Sequence, residues 1–247
     1  MIKYIILGII QGFTEFLPVS SSAHLAIMQR VLGMRGEEVA ISVVLHLGTL
    51  VAVVAFFFKD ILRLLRDLKT ISLVLSVTLI TGVIGVIGKD FFESLFTSPK
   101  LIAIALVVTG IILISTRKFA EPDKAEVSFK DALILGFTQG IAIIPGISRS
   151  GITISTLLFR GIGRQACFRF SFLVSIPIIL GAALLESRKI DFAIQHDFVN
   201  LLAGFIFSLF CGLAALSILK AVIQRAKLYY FGYYCFAVAL VTLLFVK

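Results

Sequence analysis

The stretch QGFTEFLPVSSSAH, residues 11–24, places polar side chains between two apolar runs. It carries an amide, a carboxylate, three consecutive hydroxyls and an imidazole. A shorter version occurs half a chain later, at an offset of 128 residues: LGFTQG (135–140) falls on LGIIQG (7–12), and SRS (148–150) falls on SSS (20–22). We therefore predict two related half-structures that each bring one polar tip to a single site.

The composition predicts a membrane protein. Of the 247 residues, 59% are hydrophobic and 15% are charged, and the mean hydropathy is +1.08. A soluble domain is about 45–50% apolar and about 25% charged. The net charge of +9 resides in short segments between apolar runs, as membrane insertion requires. No long basic tail is present, so we expect no nucleic-acid partner.

Residues 4–17 are apolar but too short to cross a bilayer. As a helix they cover about 21 Å, whereas the hydrocarbon core is about 30 Å thick. Pro18 ends this helix, and Ser20 to Ser22 are expected to cap a second short helix that reaches about Gly33. Two short helices joined at a polar tip form a re-entrant hairpin, which is tolerated where protein or a wet cavity surrounds it.

The remaining chain predicts an all-α polytopic fold with this plan used twice. Full spans are expected at about 40–58, 71–89, 99–116, 166–186, 198–219 and 229–246. A second hairpin, 131–144 followed by a helix from Ser150 to about Gly161, is broken at Pro145-Gly146. We expect one integral membrane domain, 1–247, with repeats at about 1–117 and 131–247. Because each half holds three spans, the repeats should be inverted, as in secondary transporters.

The distribution of basic residues predicts the orientation. If the segment 59–70 is cytoplasmic, that side holds 14 Lys and Arg residues and the opposite side holds 8. This bias favours both termini outside. The first hairpin then enters from outside and the second from the cytoplasm, so that their tips can meet near the midplane.

Glu15 is the first candidate for chemistry, because a carboxylate inside a membrane segment is costly and needs a partner. Gln11 lies four residues earlier and shares its helix face. Arg149, at the tip of the other hairpin, is the expected partner of Glu15. The alternative is a buried ion pair that only pins the hairpins together.

The three serines and His24 suggest a nucleophile and its base. A helix start needs one capping serine, and here Ser20, Ser21 and Ser22 are consecutive. His24 follows Ser21 by three residues and so shares a helix face with it. His46 lies inside a full span, where we favour packing or hydrogen bonding over catalysis.

The second tip predicts an anion cradle. Gly146 allows close backbone approach, a helix N-terminus presents free N–H groups, and Arg149 offers a fork suited to phosphate oxygens. The polar side chains of Ser148, Ser150 and Thr153 surround it. A phosphate or diphosphate head with an apolar tail fits this arrangement.

Three motifs resemble those of a known family. Gln11-x-x-x-Glu15 is similar to its (Glu/Gln)-x-x-x-Glu motif, residues 18–24 to its Pro-Val-Ser-Ser segment ending in His, and residues 145–153 to its Pro-Gly-x-Ser-Arg-Ser motif. In this order and separation they resemble the undecaprenyl-diphosphate phosphatases associated with bacitracin resistance. Ala23 stands where the family commonly has Gly.

The resemblance implies hydrolysis of undecaprenyl diphosphate to the monophosphate and phosphate, which recycles the lipid carrier of cell-wall synthesis. It implies a multi-pass protein of the bacterial inner membrane whose site faces the periplasm and which depends on Mg²⁺ or Ca²⁺. Glu15, helped by Gln11, would hold this cation or act as base. Arg149 would hold the diphosphate with Gln11, Ser20, Ser22, Gly146, Ser148, Ser150 and Thr153. Ser21 would attack while His24 manages the proton, although His24 or water could attack instead.

Partners and rival functions follow from the same residues. We expect a polyprenyl diphosphate substrate and membrane lipid as partners, with a homodimer left open. The main rival is a lipid-phosphate flippase or transporter, since inverted repeats with broken helices suit alternating access. The pair Ser21 and His24 favours an enzyme, because a flippase needs no nucleophile. A scaffold with a buried ion pair is the third alternative.

Overall fold

A computed structural model describes residues 1–34, 38–96, 98–118, 124–188, 190 and 197–245. Over these residues the regular secondary structure is helical, apart from an isolated bridge between Lys124 and Ile162. The helices are α1 (Ile2–Phe16), α2 (Ser21–Val31), α3 (Glu38–Phe56), α4 (Phe58–Leu64), α5 (Leu68–Ile87), α6 (Lys89–Leu95), α7 (Pro99–Ser115), α8 (Phe129–Ile141), α9 (Arg149–Phe159), α10 (Arg164–Ser187), α11 (Phe198–Gln224) and α12 (Tyr230–Phe245). The predicted all-α polytopic class is confirmed.

Two helix pairs are interrupted where the sequence predicts a break. The backbone becomes extended at Leu17, before Pro18, and α2 begins at Ser21. In the second pair, the break lies between α8 and α9, and Gly146 adopts a φ of 103°, a conformation that glycine favours. With 15 and 13 residues, α1 and α8 extend about 22 and 20 Å, less than the hydrocarbon core.

The expected capping of α2 by a serine side chain is wrong. Ser20 is the N-cap residue, with φ 68°, and its side chain makes no capping hydrogen bond. Its hydroxyl instead accepts a hydrogen bond from the Gly146 N–H at 3.0 Å. The Ser20 side chain therefore bonds the second tip and does not cap α2.

Long apolar helices surround the hairpins. Five candidate membrane spans meet the length and hydropathy expected of a crossing within the described residues: 39–56, 68–87, 99–118, 164–187 and 198–224. The sixth predicted span is represented by α12, which is apolar but only 16 residues long as described. The fold is that of a multi-pass membrane protein.

Small residues let the helices approach closely, as is common in membrane bundles. At the crossing of α1 and α11, Gly8 faces the backbone of Gly204, and Gly12 faces Ser208 and Gly212. The same close approach joins α7 to α12, while α8 packs on α5. These contacts hold each hairpin against long helices rather than against lipid alone.

We predict that Gly12→Ala destabilises the protein. A Cβ at residue 12 would lie 2.6 Å from the Cys211 Cβ and 2.7 Å from the Ser208 carbonyl oxygen, which is backbone and cannot rotate away. Overpacking of this kind costs about 1–3 kcal/mol. We expect a lower melting temperature in detergent. Gly82→Ala in α5 is the matched control, because a Cβ there meets nothing within 4 Å; equal melting temperatures for both variants would contradict the prediction.

An aromatic cluster lies behind the first tip. Phe16 contacts Phe172 edge-on at 5.6 Å between ring centroids, and Phe172 packs against Phe57 and Phe168 at 5.7 and 5.0 Å. Phe16 and Phe172 are fully buried. Since Phe16 follows Glu15 in the chain, this packing anchors the last turn of α1 against α10.

Candidate active site

The two tips meet at Glu15. This residue ends α1 with a side chain that is 5% exposed. Its Oε1 forms an ion pair with Arg149, the first residue of α9. Its Oε2 accepts hydrogen bonds from Ser21 Oγ at 2.6 Å and from Gln11 Nε2 at 2.9 Å. One carboxylate is therefore bonded to both hairpins at once.

Arg149 has donor capacity left over. One terminal nitrogen of its guanidinium bonds Glu15, while Nη1 is buried and has no hydrogen-bond partner within the described ranges. A buried donor without a partner costs about 1–3 kcal/mol. An arginine fork binds two oxygens of a phosphate or carboxylate. The free nitrogen is thus suited to an anionic ligand at the junction of the tips.

The backbone at the second tip is partly committed to the protein itself. The Ser148 N–H donates to Thr109 Oγ1 at 3.1 Å, and the Thr109 hydroxyl donates to the Gly146 carbonyl at 2.8 Å. Ser148 Oγ caps α9 by accepting from the Gly151 N–H at 3.1 Å. The predicted cradle therefore has fewer free backbone N–H groups than expected. Those of Arg149 and Ser150, which no intrahelical carbonyl can reach, remain available to a ligand.

The other predicted binding hydroxyls support the tips. Ser20 Oγ and Ser22 Oγ are 3.2 Å apart, and Ser148 Oγ and Ser150 Oγ are 3.3 Å apart. Thr153 Oγ1 lies 2.6 Å from Ser171 Oγ and donates to a backbone carbonyl of α9. Thr153 is buried, so these bonds connect α9 to α10 rather than face the tip junction.

Ser21 and His24 do not pair as predicted. The Ser21 hydroxyl donates to Glu15, and His24 has other partners. His24 Nδ1 lies 2.8 Å from the Ser20 carbonyl oxygen, and Nε2 lies 2.9 Å from Tyr234 Oη. Because a carbonyl oxygen only accepts, Nδ1 carries the proton, and Nε2 of the neutral ring accepts from the tyrosine hydroxyl. The base adjoining Ser21 is the Glu15 carboxylate.

His46 belongs to the site, although the sequence did not place it there. Its Nδ1 donates to the Ser42 carbonyl at 2.7 Å, and its Nε2 lies 3.7 Å from Glu15 Oε2. Hydrogen bonding was expected of this residue, but proximity to Glu15 was not. The rule that an ionisable residue inside a membrane helix is a functional candidate would have identified it. Tyr234 and Thr109 carried no comparable signal.

Oxygen atoms suited to a hard cation occur on one helix face. Gln11 is fully buried, and its Oε1 has no partner within the described residues, while its Nε2 bonds Glu15. No cluster of three or more His, Cys, Asp or Glu side chains with metal-binding geometry occurs in the part of the chain described. One carboxylate and one amide oxygen suffice for Mg²⁺ when substrate phosphates and water complete its shell. The two side chains therefore fit a cation that arrives with a phosphorylated ligand.

Comparison with known proteins identifies the family of this chain. The model of the family described as bacitracin resistance protein BacA matches residues 4–241. Three similar proteins are each named undecaprenyl-diphosphatase. The one from Thermotoga sp. (strain RQ2) is 41% identical over 97% of this chain and 98% of its own. Those from Halothermothrix orenii and Carboxydothermus hydrogenoformans are 38% and 37% identical, over 98% and 93% of this chain and 96% and 91% of theirs. This chain belongs to the BacA family of bacitracin resistance proteins.

Proposed function

We propose that the protein hydrolyses undecaprenyl diphosphate to undecaprenyl phosphate and inorganic phosphate, an activity that recycles the carrier for cell-wall synthesis and confers bacitracin resistance. The observation that carries this proposal is the Ser21 hydroxyl, held 2.6 Å from Glu15 Oε2, beside an arginine with a free donor. A nucleophile, a base and an anion-binding group thus share one junction.

Substrate binding follows from the charges at the tips. The diphosphate would accept hydrogen bonds from Arg149 Nη1 and from the first N–H groups of α9, with the positive end of the helix dipole behind them. The start of α2 lies at the same junction, since its first residue, Ser21, bonds Glu15. Its N-terminal N–H groups have no cap from the Ser20 side chain. The prenyl chain would remain among lipid tails, because the long helices expose apolar side chains outward.

The chemistry needs a proton acceptor at Ser21. As Oγ attacks the terminal phosphorus, its proton passes to Glu15 Oε2, and the bond to the bridging oxygen breaks to release undecaprenyl phosphate. Water then attacks the phosphoserine, Ser21 recovers the proton from Glu15, and inorganic phosphate leaves. His24 is the second base and acts through Tyr234: the proton of that water passes to Tyr234 Oη as this hydroxyl gives its own proton to His24 Nε2, and His24 then releases the proton to solvent. Such displacement depends mainly on positioning and charge stabilisation.

Gln11 and Glu15 would hold a divalent cation, Mg²⁺ or Ca²⁺, through the Gln11 Oε1 atom and the Glu15 carboxylate. When bound, the cation neutralises charge on the phosphoryl oxygens.

We predict that chelation of divalent cations abolishes turnover and that Mg²⁺ or Ca²⁺ restores it. Gln11→Glu adds a carboxylate and should lower the half-activating cation concentration about tenfold, since affinity rises with ligand charge. Gln11→Leu, which lacks the oxygen, should raise it. Titration of phosphate release against free cation measures both. Identical half-activating concentrations in all three proteins would remove Gln11 from the site.

We predict that Tyr234→Phe lowers kcat about tenfold with little change in KM. The rings of Tyr234 and His24 stack nearly parallel at 5.7 Å, and phenylalanine keeps this packing while losing the hydroxyl that bonds Nε2. A neutral hydrogen bond lost in this way contributes about 0.5–1.5 kcal/mol. Steady-state kinetics separate kcat from KM. Tyr233→Phe, at the exposed neighbouring residue, is the control, and a wild-type kcat for Tyr234→Phe would show that the ring alone matters.

The rival function, flipping of a lipid phosphate, is separated from hydrolysis by one assay. Purified protein in detergent is incubated with undecaprenyl diphosphate, and inorganic phosphate is measured with and without cation. An enzyme releases phosphate in proportion to protein, whereas a flippase moves the intact lipid between membrane faces and releases none. Absence of phosphate release from folded protein would overturn the proposed hydrolysis.

We also infer that the two halves are inverted repeats whose site faces the periplasm of the inner membrane. Equivalent residues at the offset of 128 make equivalent bonds. Lys3 Nζ donates to the Leu32 carbonyl at 2.8 Å, and Arg160 Nε donates to Asp131 at 2.7 Å, so that each bond closes the open end of one hairpin. The packing is reciprocal too, since α1 lies on α11 as α8 lies on α5. The basic-residue bias supports the orientation.

A further inference from the structure

A second polar cavity lies away from the tips, where the second hairpin opens. Its volume is about 800 Å³, and it is bounded by the end of α4, the start of α5, residues 124–127 and the start of α10. Two acidic side chains line it, Asp67 and Glu126. Five basic side chains outnumber them: Arg63, Lys69, Lys124, Arg164 and Arg169.

The acidic groups do not neutralise these cations. Lys69 Nζ pairs with Glu126 at 2.8 Å, and Arg169 Nε pairs with Asp60 at 2.9 Å. Neither Lys124 nor Arg164 takes part in an ion pair with any described residue. Lys124 is exposed and Arg164 is partly exposed. Two cations at the rim of the cavity are thus available to an anion.

The backbone fixes these two cations next to each other. The Lys124 N–H donates to the Gly161 carbonyl at 3.0 Å, and the Lys124 carbonyl accepts from the Gly163 N–H at 2.9 Å. Gly163 precedes α10 and has no side chain to cap it. The uncapped N–H groups of this 24-residue helix add positive partial charge beside Arg164. The rim is therefore rigid as well as basic.

The floor of the cavity is apolar. Leu73, Val127, Phe170 and Leu173 line it, and each is buried. Free phosphate would gain binding free energy from the basic rim alone. An amphiphile would gain it from the rim and from apolar contact with the floor. Basic pockets between transmembrane helices bind anionic lipid head groups. We propose that this cavity binds the head group of an anionic membrane phospholipid, with its first acyl carbons against the apolar floor.

Occupancy would stabilise the packing around the second hairpin without reaching the candidate active site. The lipid would join α5 to α10, and these helices pack on α8 and α9, which form the second hairpin. The cavity residues do not overlap with those at the tips, so the bound lipid would act as a stabilising ligand and not as substrate.

The test is a thermal titration of purified full-length protein in neutral detergent. Melting temperature is measured against dioleoylphosphatidylglycerol, dioleoylphosphatidylcholine and inorganic phosphate. The variant K124Q/R164Q removes both available cations. K59Q/R225Q is the matched control, because it removes the same charge at exposed residues outside the cavity. The single variants K124Q and R164Q serve if the double variant does not accumulate.

We expect phosphatidylglycerol to stabilise the wild type and the control, and half-saturation of K124Q/R164Q to need about 30-fold more lipid. Phosphatidylcholine and phosphate should have little effect. Equal responses of both double variants would overturn the proposal, as would equal protection by inorganic phosphate, which would indicate a free-anion site. Phosphate release should stay unchanged in K124Q/R164Q, so this result is independent of the proposed hydrolysis.

Discussion

Arg149→Ala should reduce kcat/KM for phosphate release by about 10³-fold or more. Arg149 is the only Lys or Arg side chain at the tip junction among the described residues, and its Nη1 has no hydrogen-bond partner there. Removal of one group that stabilises transition-state charge costs about 10²–10³-fold in kcat, and an arginine acting on a transferring phosphoryl group contributes about 10³–10⁵-fold. Phosphate release from undecaprenyl diphosphate in detergent measures the loss.

Two further variants separate catalysis from pinning. Arg149→Lys keeps the charge but loses the planar fork of the guanidinium. Relative to Arg149→Ala, it should therefore regain more of the wild-type stability than of the wild-type activity. The pair Glu15→Leu and Arg149→Leu replaces the buried ions with apolar groups, which often preserves or raises stability. A pair that only pins the hairpins predicts a folded, active double variant. A folded double variant with wild-type turnover would therefore refute the assigned roles, and we expect it to be folded and inactive.

Ser21→Ala should reduce turnover at least about 10³-fold, to the residual rate that positioning and charge stabilisation still supply. Ser21 is partly buried at the start of α2, and its hydroxyl donates to Glu15 at 2.6 Å, the arrangement of an activated nucleophile. Substrate labelled in the terminal phosphate, quenched in acid during turnover, should leave label on wild-type protein and none on Ser21→Ala.

The neighbouring hydroxyl provides the control. Ser22 Oγ lies 3.2 Å from Ser20 Oγ and has no bond to Glu15, so Ser22→Ala should stay within about tenfold of wild type. Retention of turnover by Ser21→Ala would exclude a phosphoserine. Label on His24 would then identify the imidazole as nucleophile, and absence of label would identify direct attack by water.

Local sequence signals were sufficient to predict the long helices and the breaks in the two hairpins. Pro18 and the Pro145-Gly146 pair interrupt apolar runs too short to cross a bilayer, and the structure has its breaks there. The meeting of Glu15 and Arg149 was predictable because a carboxylate and a guanidinium buried in apolar surroundings each need a partner. These inferences rest on local chemistry and on membrane thickness.

Contributions from the long helices were not predictable in the same way. His46 lies on α3 and Tyr234 on α12, and which face of each helix turns toward the tips depends on packing around Gly48 and Gly232. The direction of hydrogen bonds was also hidden. Spacing places Ser21 and His24 on one face, but only coordinates show that the Ser21 hydroxyl donates to Glu15 while His24 Nε2 accepts from the Tyr234 hydroxyl.

The sharing of Glu15 between two hairpins couples reactivity to their docking. Its Oε2 holds a hydroxyl from α2 and its Oε1 holds the guanidinium from α9. If the hairpins separated, Glu15 would keep the hydrogen bond from Ser21 in its own hairpin and lose the ion pair with Arg149. Assembly of the bundle and completion of the candidate site are therefore coupled. A loosely assembled molecule would lack the guanidinium that the proposed hydrolysis needs.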